Sequence, residues 1–249
     1  AIKASGTEFS QRSTREARSI AALNHSNVCH VYDVGPDYLV LEYVEGTSPA
    51  GPMPFEEALP LIKQLIDGIE AAHEKNIIHR DLKIANIKIT PNGVVKILDF
   101  GLAKAAEPES MTDIANSPTF TMGPTTMEGA TQAGVILGTA AYMAPEQAKG
   151  KPADRRSDIW SFGVVVYELL VGRVPFEGES TVDVLGAVIN KEPDWSPVPP
   201  RALRLLRSCL QKDRRTRLAA ISDARLLLEE SNAVVPPSPP RRRSTRLVW

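Results

Sequence analysis

The stretch Ile78-His79-Arg80-Asp81-Leu82-Lys83-Ile84-Ala85-Asn86 gathers a carboxylate able to act as a base, two cations and an amide into one short loop. Its surroundings are equally patterned. Downstream, Ile87-Lys88-Ile89 and Val94-Val95-Lys96-Ile97-Leu98 flank Pro91-Asn92-Gly93, so two short strands joined by a turn are predicted. That hairpin carries the polar loop at its entry and Asp99-Phe100-Gly101 at its exit. Upstream, Phe55, Ala58, Leu59, Ile62, Leu65, Ile66, Ile69 and Ala72 recur at helical spacing, which predicts a long amphipathic helix ending near Lys75-Asn76. His73 on that helix reads as a structural histidine, not a catalytic one.

With 249 residues, 43% hydrophobic and 24% charged, the chain is long enough to bury a substantial core and has the composition of a globular protein, not a disordered one. A net charge of −1 argues against general electrostatic attraction to nucleic acid, although Arg241, Arg242, Arg243 and Arg246 cluster at one end. Cys29 and Cys209 lie far apart, neither has a neighbour at metal-ligand spacing, and both read as reduced packing residues. No apolar run approaches the ~20 residues a membrane helix needs. The best, Val164-Val165-Val166-Tyr167-Glu168-Leu169-Leu170-Val171, is short and interrupted by a glutamate. The chain opens on Ala1-Ile2-Lys3, which reads as a strand already under way, and stops on Leu247-Val248-Trp249, so a piece of a longer protein is expected.

Residues 8–23, with Phe9, Ala17, Ile20, Ala21 and Leu23 among charged positions, are predicted to form a helix that carries Glu16. Val28 to Val34 and Tyr38 to Val44 are β-rich runs around the turn signal Gly35-Pro36-Asp37, which predicts a hairpin. Further on, Asp158-Ile159-Trp160-Ser161-Phe162-Gly163 opens a very apolar helix running to Leu170. Three more helices are predicted over 182–190, 201–210 and 222–230, with Pro193, Pro197, Pro199 and Pro200 breaking the chain between the first two. From Val234 the composition turns to proline and then arginine, the pattern of a linker.

His79-Arg80-Asp81-Leu82-Lys83 with Asn86 five residues after Asp81, followed by Asp99-Phe100-Gly101 and then Ala144-Pro145-Glu146, resembles the serine/threonine protein kinase family. A lone Asp-Phe-Gly would be weak; the ordered set is specific. The resemblance covers about residues 1–230 and is strongest to the bacterial receptor-like branch. It implies an α+β, two-lobed fold, with a truncated β-rich small lobe over 1–44 and a complete, mainly helical large lobe over 45–232. Residues 233–249 would then form a juxtamembrane-like linker.

The same resemblance implies site roles and ligands, ATP and Mg²⁺ among them. Asp81 would accept or orient the substrate hydroxyl, Lys83 would sit over the γ-phosphate, and Asn86 with Asp99 would hold Mg²⁺ through hard oxygen ligands. Lys3 and Glu16 match the lysine and glutamate that pair to hold the α- and β-phosphates; alone they would read as solvated surface charges. Leu41-Glu42-Tyr43-Val44 matches the hinge, where the backbone of Glu42 and Val44 would bond adenine and Leu41 would guard the back of the pocket. Thr139 is placed to contact Asp81 and Lys83, and Arg217 to pair with Glu146. Implied partners are protein substrates and ATP, with a homodimer for trans-phosphorylation and no nucleic acid.

Three features depart from the family pattern. No Gly-x-Gly-x-x-Gly occurs in the chain, so these residues by themselves are expected to bind ATP weakly or not at all. Ile84 stands where proline is common, which leaves the charged groups intact. The segment from Leu102 to Met143 is long and rich in Ser, Thr, Gly and Pro. In the family the arginine next to the catalytic aspartate, here Arg80, receives an activation-loop phosphate, so regulation by phosphorylation is implied, with Thr125, Thr126 and Thr131 as preferred acceptors. The terminal arginines followed by Leu-Val-Trp resemble the cytoplasmic flank of a membrane helix, which implies a cytoplasmic kinase domain in a parent anchored in the plasma membrane beyond Trp249. The plain alternative is a soluble basic tail. For function the alternative is a pseudokinase-like scaffold, against which Lys3, Asp81, Asn86 and Asp99 are all present.

Overall fold

The computed structural model describes residues 1–4, 17–100 and 138–230. Three short strands, β1 (Ile2–Ala4), β2 (Val31–Val34) and β3 (Tyr38–Leu41), form an antiparallel sheet in the order β1-β3-β2. The expected turn closes β2 onto β3, with the Gly35 N–H donating to the Tyr38 carbonyl at 2.9 Å. Both strands are shorter than their apolar runs. Ahead of β2 the backbone is already committed elsewhere: the Cys29 N–H donates to the Ile97 carbonyl and the Ile97 N–H to the Asn27 carbonyl, each at 2.8 Å. Residues 17–21 are helical and bury Ala17 and Ile20; the rest of the predicted 8–23 helix up to residue 16 lies outside the described residues.

Beyond the sheet the molecule is mainly helical. The amphipathic run becomes α1 (Phe55–Glu74), whose buried stripe includes Ala58, Ile62, Leu65, Ile66 and Ile69. After the loop that holds Asp81 and a 3₁₀ turn (Ile84–Asn86), β4 (Ile87–Ile89) and β5 (Val95–Ile97) form the predicted hairpin, with Ile87 opposite Ile97. There follow α2 (Pro145–Ala148), α3 (Arg155–Val171), α4 (Thr181–Asn190), α5 (Pro200–Cys209) and α6 (Asp223–Glu230). A β-rich part and a larger helical part make the α+β architecture expected from the sequence.

The centre of the helical part is α3, apolar on nearly every side, with Trp160, Phe162 and Tyr167 fully buried. Its ends follow from local chemistry. The Asp154 carboxylate accepts the Arg156 N–H at 2.9 Å and caps the start. Gly172 closes the other end at φ 83°, a left-handed conformation that costs glycine little, and its N–H returns to the Glu168 carbonyl. At Gly163 a Cβ would lie 2.7 Å from the Cys209 Cβ, so α3 and α5 approach more closely than a side chain there would permit. Both cysteines are free and buried as expected, and burial pushes the thiols up to about 11 for Cys29 and about 12 for Cys209, which marks them as packing groups. No helix among the described residues is long and apolar enough to cross a membrane.

Candidate active site

Asn86 immediately precedes β4 and Asp99 closely follows β5, so antiparallel pairing of the two strands brings both to one end of the hairpin. The Leu98 N–H donates to the Asn86 carbonyl at 2.8 Å and fixes that juncture. Asp81 joins them from the preceding loop. Its carboxylate lies 2.9 Å from the Lys83 ammonium, and the Asn86 Nδ2 donates to the Asp81 carbonyl at 2.9 Å and more weakly to Oδ2 at 3.4 Å. The same Lys83 ammonium donates to Thr139 Oγ1 at 3.1 Å. The sequence placed Thr139 against both Asp81 and Lys83; the structure gives it the Lys83 bond, and Lys83 links it to Asp81.

The loop is built from below by Asp158, which is 1% exposed. Asp158 Oδ2 accepts the His79 N–H at 2.8 Å and Oδ1 accepts the Arg80 N–H at 2.9 Å, while His73 Nε2 lies 2.8 Å from Oδ2. Those bonds hold a strained backbone at Arg80, whose φ of 67° lies in the left-handed region; Asp99, at φ 51°, lies there too. His79 adds a further link. Complete burial pushes its imidazole below the ordinary histidine pKa and keeps it neutral, against the pull of the Asp158 carboxylate. Nε2–H then donates to the Leu98 carbonyl at 2.9 Å and Nδ1 accepts the Asp81 N–H at 3.3 Å. The ring also rests on buried Phe100, centroid to centroid 4.6 Å.

Sequence reasoning placed Asp158 only at the opening of an apolar helix and missed its role in the site. The signal was present, because a carboxylate entering so apolar a run must find donors when it is buried. His73 is the structural histidine it was expected to be, bonded to that carboxylate.

Asn86 spends its amide nitrogen on Asp81, which turns its side-chain oxygen toward other partners. With the Asp99 carboxylate it offers two hard oxygens, a set that fits Mg²⁺, an ion that keeps several waters and takes phosphate oxygens. Among the described residues no three His, Cys, Asp or Glu side chains converge. For the nucleotide base, Leu41 ends β3 and Glu42 follows it. The backbone of Glu42 is already engaged: its N–H donates to the His30 carbonyl at 2.8 Å, and its carbonyl accepts the Cys29 thiol at 3.7 Å. Its side chain is occupied too, 2.8 Å from the Lys96 ammonium and accepting the His30 N–H at 3.1 Å. Burial favours the neutral Glu42 acid, but Lys96 and the His30 amide outweigh it and hold the carboxyl below the ordinary glutamate value. Lys3 pairs opposite Leu39 through its backbone; its side chain lies outside the described residues, as do Glu16, Gly101, Thr125, Thr126, Thr131 and residues 233–249.

A second buried carboxylate braces the segment after the site. Glu146 in α2 receives Arg217 in two parallel bonds of 2.7 and 3.0 Å, and the Ser157 hydroxyl at 2.9 Å. Arg217 also donates to the Gln211 and Arg156 carbonyls and lies 5.1 Å from the Trp160 ring centroid. Burial would push the Glu146 carboxyl up, yet Arg217 overcomes it and the pKa stays below the ordinary value. The pairing expected from the sequence is therefore present.

The chain belongs to the protein kinase family: the family described as Protein kinase domain matches residues 1–225. Among its relatives, serine/threonine-protein kinase PrkC of Bacillus subtilis (strain 168) is 36% identical over 214 residues, covering 80% of this chain and 30% of that protein. Serine/threonine-protein kinase PknB of Mycobacterium tuberculosis (strain ATCC 25618 / H37Rv) is 38% identical over 208 residues, covering 78% of this chain and 30% of the relative. Serine/threonine-protein kinase pkn2 of Myxococcus xanthus is 41% identical over 182 residues, 68% of this chain and 20% of the relative. The chain thus spans less than a third of the length of these bacterial serine/threonine kinases.

Proposed function

We propose that the protein transfers the γ-phosphoryl group of ATP to serine and threonine hydroxyls of protein substrates. The observation that carries this reading is the cluster of Asp81, Lys83, Asn86 and Thr139, joined through one ammonium and one amide. Asp81 receives the proton of the substrate hydroxyl as its oxygen bonds to the γ-phosphorus, while the bond from that phosphorus to the β–γ bridging oxygen breaks and ADP leaves. Lys83 offsets negative charge on the transferring group and, through Thr139, fixes the segment on which the substrate would lie. Mg²⁺, when bound, neutralises the phosphate oxygens. Asn86 and Asp99 would hold it, Lys3 and Glu16 would position the α- and β-phosphates, and Leu41, the Glu42 carbonyl and the Val44 backbone would receive adenine.

Control by phosphorylation at Thr125, Thr126 or Thr131, trans-phosphorylation within a homodimer, and anchoring of the parent in the plasma membrane beyond the cluster Arg241-Arg242-Arg243 belong to the same reading. The test is phosphate transfer from labelled ATP by the full-length protein, with Asp81→Asn as the control. Label on serine and threonine of a protein acceptor is expected from the wild type. Transfer no higher than in Asp81→Asn would favour the scaffold reading.

A further inference from the structure

We infer that Gln147 is a positioning residue for Asp81, acting through the peptide group that joins Arg80 to Asp81. The inference rests on the reading of Asp81 as the acceptor of the hydroxyl proton. Gln147 is half-buried in α2, beside Glu146, and the two atoms of its amide do separate jobs. Oε1 accepts the Ala144 N–H at 3.1 Å and caps α2. Nε2 reaches out of the helix and donates to the Arg80 carbonyl, also at 3.1 Å.

That carbonyl is one end of a peptide group whose other end, the Asp81 N–H, donates to His79 Nδ1. The two amides before it are those held by Asp158. Every peptide group from the His79 amide to the Asp81 amide is therefore gripped, and Gln147 supplies the one grip that comes from α2. The residue between the grips, Arg80, has φ 67°, a conformation that a non-glycine residue leaves when unrestrained. Rotation of the Arg80–Asp81 peptide would swing the Asp81 carboxylate away from Lys83 and Asn86. Because Glu146, the neighbour of Gln147, is locked to Arg217, the glutamine stands on a fixed base. The placement of the proton acceptor thus depends on the helix that follows the substrate-side residue Thr139.

Two substitutions in the full-length protein separate positioning from capping. At about pH 8 the carboxylate of Gln147→Glu still accepts the Ala144 N–H but donates nothing to the Arg80 carbonyl, whereas Gln147→Met does neither. If Gln147 positions Asp81, both variants lower kcat by about tenfold, the scale of one lost hydrogen bond, with KM for ATP unchanged. Both also speed deuterium exchange of amides in residues 79–86. A kcat for Gln147→Glu within about twofold of wild type, with Gln147→Met impaired, would mean that the side chain serves only as a cap, and would overturn the inference. Asp81→Asn in the same assay sets the background. A wild type no more active than that control would sink the kinase reading instead, and the exchange measurement then decides: unchanged protection of 79–86 in Gln147→Glu overturns the inference.

Discussion

Asp81 lies in the loop that Asp158 grips, and their surroundings treat the two carboxylates in opposite ways. Asp158, 1% exposed, has its oxygens taken up by two backbone amides and a histidine. Asp81, with 24% of its side chain exposed, meets one ammonium and one long amide contact. A carboxylate saturated with donors holds backbone in place and has little capacity left for chemistry; one with open lone pairs and access to solvent can take a proton from a bound hydroxyl. Glu146 is of the first kind, fixed by Arg217 and Ser157. The site is thus a working face laid over a saturated floor.

That contrast is broken most directly at the face. Asp81→Asn should lower phosphate transfer by about 10²–10⁴-fold, the range of a lost general base, while the melting curve stays close to wild type. A comparable loss of stability would mean that Asp81 belongs to the floor. Next comes Arg217→Met, which leaves Glu146 buried without its cation and should cost about 3–5 kcal/mol in chemical denaturation. Its pH dependence follows from the sign of the shift. In the wild type the Glu146 pKa is lowered, so the stability from the pair is complete above the ordinary value of 4.5 and is lost as pH falls through the lower folded value. In the variant, burial alone raises the same pKa, so stability falls as pH rises. The gap between the two proteins should therefore be widest at neutral pH and narrow toward pH ~4.

Smaller effects sharpen the comparison further. Asp158→Asn keeps the shape but turns an amide nitrogen toward a donor, and should cost about 1–3 kcal/mol with a lowered kcat as the loop loosens. Full activity in a destabilised Asp158→Asn protein would detach the floor from the face. Thr139→Val removes the acceptor for Lys83 and should cost about 0.5–1.5 kcal/mol or less, seen mainly as a higher KM for the protein substrate.

Much of this was legible along the chain. α1, the β4–β5 hairpin and α3 announce themselves through apolar periodicity and turn residues, because each is stabilised by neighbours close in sequence. The motif order also marked Asp81, Lys83, Asn86 and Asp99, and the Glu146–Arg217 pair. β2 came out shorter than its apolar run because hydrogen bonds with Ile97, distant in the chain, claim the segment before it. Periodicity has no access to that competition. The occupied N–H of Glu42 was hidden for the same reason, since backbone partners carry no side-chain signature.

By itself the sequence determined the reactive groups, their order, and the local elements that deliver them, since those depend on residue chemistry and short-range patterning. Only the tertiary structure decided what grips the loop. The bonds from His73 and the loop amides to Asp158, and from Gln147 to Arg80, join residues far apart in sequence. They act largely on main-chain atoms that every residue shares, so the sequence could signal that a buried Asp158 needs donors but not which donors it finds.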